Sequence, residues 1–102
     1  MALMSFSPAH QVVHDNGRQQ FVVILSDRDR AFINYNILPS GVLDLFHTEV
    51  PEAYRGQGIA KVLAKEAFDY VVANGLRMRL TCWYLQKFLR DNPTQEYLSH
   101  LE

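Results

Sequence analysis

Arg55-Gly56-Gln57-Gly58-Ile59-Ala60 stands between an apolar run ending at Val50 and an amphipathic stretch that reaches about Ala73. A glycine-rich turn opening a helix is a phosphate cradle. The unpaired N–H groups of the first turn and the positive end of the helix dipole converge there on one point. Glycine at 56 and 58 lets the backbone approach an anion with no Cβ in between. Arg55 adds a cation whose planar fork suits phosphate. A plain turn needs neither Arg55 nor two glycines one residue apart, so the expected ligand is a phosphate-bearing cofactor. A Walker A loop would end in Gly-Lys-Ser/Thr, whereas this one runs Gly58-Ile59-Ala60-Lys61. A dinucleotide fingerprint fits poorly, because Arg77-Met78-Arg79 occupies the region where its acidic residue belongs.

The elements that must position this loop can be read from periodicity and turn residues. Val12-Val13-His14, Asp15-Asn16-Gly17 and Phe21 to Leu25 predict a β-hairpin with a tight Asn-Gly turn, both turn residues at positive φ. Ala31 to Ile37 and Val42 to Val50 predict a third and a fourth strand, separated by Leu38-Pro39-Ser40-Gly41. The helix after the loop presents Ile59, Val62, Leu63, Ala67, Tyr70 and Val71 on one face and Lys61, Lys65 and Asp69 on a polar stripe. Asn74-Gly75-Leu76 ends it with Gly75 in a left-handed cap. A fifth strand is expected at about Arg77 to Cys82, then helices at about Tyr84 to Asp91 and Thr94 to Leu101, the last burying Tyr97, Leu98 and Leu101.

In the fourth strand Leu43 and Leu45 share one face, and Phe46, Thr48 and Val50 share the other. The apolar phase slips by one residue between Leu45 and Phe46. A strand buried on both faces gives this pattern, and so does a β-bulge, which re-aims a strand beside a site.

Bulk properties bound the function. The 102 residues suit one small domain spanning 1–102. Ten Lys and Arg against eleven Asp and Glu leave a net charge of -1, without the basic excess that nucleic-acid binding needs. The longest apolar runs, such as Phe21 to Leu25, are far too short to span a membrane. Met1 to Pro8 lacks a basic signal-peptide start, and a single cysteine suits a reducing compartment, so a cytoplasmic location is expected. The four histidines show no ligand spacing with Cys82, and no metal site is expected.

Val50-Pro51-Glu52-Ala53-Tyr54-Arg55-Gly56-Gln57-Gly58-Ile59-Ala60 resembles the pyrophosphate loop of the GNAT superfamily of acetyl-CoA-dependent N-acetyltransferases, whose signature is Gln/Arg-x-x-Gly-x-Gly/Ala after a strand ending in Val. His47-Thr48-Glu49-Val50 and Cys82-x-Tyr84 match two further signatures of its minimal, roughly hundred-residue branch. The resemblance implies an α/β (α+β) fold: a mixed, mostly antiparallel sheet with helices packed on it. The usual helical insertion after strand 1 and the C-terminal strands are lacking. It also implies acetyl-CoA as co-substrate and an acetyl group moved to a primary amine of unspecified acceptor. A non-catalytic acyl-CoA binding or sensing module is the alternative.

By that resemblance Arg55, Gly56, Gln57, Gly58, Ile59 and Ala60 hold the pyrophosphate, and the backbone at Thr48 and Val50 holds the pantetheine arm between splayed fourth and fifth strands. Candidate bases are Asp44, His47 and Glu49. An imidazole is suited to proton transfer near neutrality. Each also has a bland reading: Asp44 and Glu49 as surface charges, His47 bonded to a carbonyl. The family's usual tyrosine acid is absent from Gln86-Lys87-Phe88-Leu89, which leaves Cys82 and Tyr84 nearest the reacting thioester. Cys82 can be a nucleophile, a proton donor or a small buried hydrophobe. Trp83, Tyr84 and Phe88 can serve as core or lie along the pantetheine arm.

Overall fold

A computed structural model of the protein describes residues 10–102. The strands are β1 (Val13–Asp15), β2 (Gln20–Ile24), β3 (Arg30–Ile37), β4 (Leu43–Glu49) and β5 (Met78–Leu80). The helices are α1 (Ile59–Ala73), α2 (Trp83–Asp91) and α3 (Gln95–Ser99), with a 3-10 turn at Glu52–Tyr54. The strands lie side by side in chain order. β1 to β4 form an antiparallel meander, and β5 joins β4 in parallel after the α1 crossover. This is the mixed, mostly antiparallel sheet with packed helices that the sequence implies.

Alternation in the meander builds one buried face. Phe21 and Val23, then Ala31, Ile33 and Tyr35, then Leu43 and Leu45 are all buried against the helices. The first turn departs from expectation. Gly17 is absent from the positive-φ residues, and Gln19 carries φ 55 instead. The connection is a four-residue turn, in which the Gln19 amide donates to the Asn16 carbonyl and the Arg18 amide to Asp15 Oδ1. Asp15 thus satisfies the backbone that a tight Asn-Gly turn would have closed by itself.

α1 buries Ile59, Leu63, Ala64, Ala67, Phe68 and Val71. Val62 and Tyr70, expected on that face, are only half-buried, and Phe68 takes the central place. Its ring meets Phe88 of α2 and Tyr97 of α3 edge-on at 5.4 and 5.2 Å. α1 ends as expected: Gly75 has φ 64, its amide bonds the Val72 carbonyl, and the Leu76 amide bonds the Val71 carbonyl. That pairing is a Schellman cap. In α3 Thr94 caps the start through the Tyr97 amide, and Tyr97 is buried, but Leu98 is 42% exposed. Leu101 forms a parallel bridge with Met78 on the outer edge of β5. Arg79 holds Glu102 there through two nitrogens, at 2.6 and 2.9 Å.

His14 ties four elements together behind the sheet. Its ring stacks on Phe21 of β2 at 4.4 Å, meets Tyr70 of α1 edge-on at 4.4 Å, and shares a 2.6 Å hydrogen bond with the Tyr35 hydroxyl of β3. Burial pushes its pKa below the usual 6.5, against the pull of Asp15. The folded state therefore prefers neutral His14. Its contribution to stability is complete above the unfolded value and is lost as pH falls through the folded one. We expect the melting temperature to fall between about pH 7 and pH 5, and His14→Gln to flatten that limb. A thermal-melt series against pH checks this, and an unchanged slope in the variant contradicts it.

Candidate active site

The site begins where β4 and β5 part. Their pairing runs Leu43↔Met78, Asp44↔Arg79, Leu45↔Leu80 and stops. The Leu45 carbonyl accepts from the amides of both Thr81 and Cys82 at 3.2 Å, turning the chain away into α2. β4 continues to Glu49 beside β3 but without β5, so β4 and β5 form a fork.

Phe46 is a bulge. Asn34 pairs with His47 and Tyr35 with Leu45, leaving Phe46 without a partner in β3. Phe46 is also 40% exposed, which excludes a strand buried on both faces. The extra residue inverts the facing of the rest of β4. Thr48 now lies opposite Ile33, on the face that carries the helices, whereas His47 and Glu49 lie opposite Asn34 and Phe32 on the other face. Thr48 Oγ1 lies 3.4 Å from Cys82 Sγ, a contact across the fork. On the opposite face His47 Nε2 and Glu49 Oε1 are 3.1 Å apart, both about half exposed.

A cavity of about 630 Å³ fills the fork and extends to the start of α1. His47, Glu49, Cys82 and Tyr84 all line it, as do Thr48, Val50, Arg55, Gly56, Gly58, Ile59 and Ala60. Gln57 does not. Asp44 is also outside, and accepts a hydrogen bond from the Thr81 hydroxyl. Phe46, at the bulge, and Trp83, a candidate for the pantetheine arm, also line it, and three lining residues were not read from sequence as part of a site: Tyr54, Lys61 and Thr81. Lys61 had a readable signal, its place in the first turn of α1, but its stripe with Lys65 and Asp69 suggested only a solvated face. Lys65 and Asp69 are indeed paired at 2.7 Å.

The loop has the form of an anion cradle. Gly56 and Gly58 sit at φ 86 and 79, and a Cβ added to either would find nothing of the protein within 4 Å. Among the described residues, no acceptor is paired with the amides of residues 56–61. Arg55 Nε donates to the Val50 carbonyl at 2.9 Å, pinning the loop to the end of β4 and leaving both terminal nitrogens for a ligand. At the other wall, burial pushes the Tyr84 phenol above its usual 10, although Lys87 opposes this, so the phenol is protonated at neutral pH. Trp83 beside it is 71% exposed.

Residues 20–100 match the family model described as GCN5-related N-acetyl-transferase. The chain belongs to this family. As a GCN5-related N-acetyltransferase family member it is an acyltransferase by class, and the fold is one that binds coenzyme A. Over 93 residues it is 53% identical to Protein NATD1 of Gallus gallus, covering 90% of this chain and 84% of that protein. It is 50% identical to Protein NATD1 of Homo sapiens over 93 residues, covering 90% of this chain and 82% of that one. The NMR solution structure of a GCN5-like protein from Staphylococcus aureus shares the fold, with a TM-score of 0.69 at 20% identity, covering 94% of this chain and 91% of that one. Among the described residues no group of three or more metal-binding side chains occurs. No described helix is long and apolar enough to cross a membrane.

Proposed function

We propose that this chain is a cytoplasmic N-acetyltransferase, one domain over 1–102, that binds acetyl-CoA in the β4–β5 fork and transfers the acetyl group to a primary amine. The observation that carries this reading is that one cavity joins the fork to the glycine-rich start of α1. The pyrophosphate lies at the amides of Gly56, Gln57, Gly58, Ile59 and Ala60, with the terminal nitrogens of Arg55 beside it. Gln57 takes part through its backbone alone. The pantetheine arm lies along β4, where the backbone at Thr48 and Val50 has no β5 partner.

His47 accepts the proton of the acceptor ammonium, and Glu49 at 3.1 Å orients the imidazole and steadies its charge. The neutral amine then attacks the thioester carbonyl. The C–N bond forms, the C–S bond breaks, the protonated Tyr84 phenol supplies the proton that the departing thiolate takes, and the proton that the new amide nitrogen sheds restores the phenol. Cys82 lines the reacting end.

Acetyl-CoA at roughly 100 times its dissociation constant should stabilise the fold by about 2.7 kcal/mol, with ATP and NAD far behind. Equal melting shifts from all three would reduce the cradle to generic anion binding. Turnover screened against mixed amines and peptides tests the transfer. Tight binding with no amine acetylated would make the chain an acyl-CoA sensor.

A further inference from the structure

We propose that Thr48 is a positioning residue of this site: its hydroxyl aims the Cys82 thiol across the fork, from the face to which the Phe46 bulge returns it. Cys82 is held by β4 at two points. Its amide bonds the Leu45 carbonyl at 3.2 Å, and its sulfur meets Thr48 Oγ1 at 3.4 Å. Between those anchors lies the bulged residue. In a regular strand, position 48 would fall on the face opposite Leu45. The insertion returns it to the same face, as its pairing with Ile33 shows.

Packing alone does not call for a hydroxyl here. Thr48 is only half-buried, Cys82 is 8% exposed and in contact with the core, and valine has the same shape as threonine. A hydroxyl adds direction. It accepts from a thiol or donates to a thiolate, so the sulfur keeps one orientation in either protonation state. Asp44 of the same strand bonds only the preceding Thr81, so among the described residues Thr48 is the one whose side chain bonds the Cys82 sulfur. The catalytic importance of that aim rests on the function proposed above, but the contact itself can be tested without it.

The test is the rate at which iodoacetamide alkylates Cys82 at about pH 7.5 in the ligand-free chain. Thr48→Val should change that rate about five-fold, the size of one ordinary hydrogen bond, and Thr48→Ser should restore it. In turnover, Thr48→Val should lower kcat about ten-fold and leave KM for acetyl-CoA within about two-fold, which a general loss of structure would not do. Should the valine variant be poorly folded, Thr48→Ala removes the hydroxyl without adding a buried methyl. Wild-type alkylation in folded Thr48→Val or Thr48→Ala, or failure of serine to restore the rate, overturns the proposal. If the alkylation change appears in a chain that does not bind acetyl-CoA, Thr48 keeps its role and the acetyltransferase reading falls.

Discussion

Gly58→Val should abolish acetyl-CoA binding at micromolar concentrations, a loss of at least about 100-fold or about 2.7 kcal/mol. Two effects combine. Gly58 caps α1 at φ 79, where a residue with a Cβ costs roughly 1–2 kcal/mol and a β-branched one more. The added atoms also enter space that the protein leaves empty, since nothing lies within 4 Å of the ideal Cβ. Strain and obstruction can be separated. Gly58→Asn tolerates the left-handed conformation yet still carries a Cβ, so it should remain folded and bind weakly. Gly75→Asn is the matched control, because Gly75 has φ 64 and equally open surroundings at the far end of α1. It should share the modest loss of stability and bind normally. Isothermal titration with far-UV circular dichroism reads all three. A folded Gly58 variant with wild-type affinity would move the cradle elsewhere.

Cys82→Ala should lower turnover by about 10-fold to 1000-fold while leaving affinity for acetyl-CoA unchanged, the range expected for one positioning or proton-transfer group. The thiol lines the cavity and contacts Thr48, so it lies close to any thioester held along β4. Direct attack by the amine predicts that acetyl-CoA alone leaves no stoichiometric acetyl group on Cys82. Covalent relay predicts a thioester there, formed by exchange of one thiol for another and discharged by added amine. Such exchange is close to neutral in energy, so geometry decides. Intact-mass measurement of rapidly quenched protein, followed by peptide mapping, separates the two routes. A fast, amine-dischargeable acetyl group on Cys82 would make it the nucleophile. Full turnover in Cys82→Ala would reduce it to packing.

The features legible in the sequence were those written in local chemistry. The Asn74-Gly75-Leu76 cap follows from glycine's freedom and a following leucine, and the meander follows from alternation. The phase slip at Leu45-Phe46 left a bulge and a doubly buried strand equally open, and the missing β3 partner of Phe46 decides for the bulge. Other features depend on tertiary partners. Asn16-Gly17 carries a tight-turn signal, but the Asp15 carboxylate bonds the Arg18 amide and Gln19 takes the positive φ. Leu98 fits the apolar spacing of α3, yet that helix is only five residues long and Tyr97 alone fills the contact with Phe68. In sequence Asp44 stands level with His47 and Glu49 as a candidate base, and only the fold places it outside the cavity, bonded to Thr81. The Thr48–Cys82 contact spans 34 positions, beyond the reach of any periodicity.

That separation bears on the order in which the chain can assemble. The meander closes through connections of only four or five residues, each adding little loop-closure entropy. The fork needs β5 brought back in parallel, which a short turn cannot do, so the whole of α1 must intervene. Its contacts are the most non-local in the sheet and pair only three residues before they end. Non-local pairings are entropically costly to close, so this end of the sheet is expected to order after the meander. The candidate site is therefore expected to lie in the part of the chain that orders last. A ligand lying along β4 between α1 and Cys82 would stitch that part to the meander.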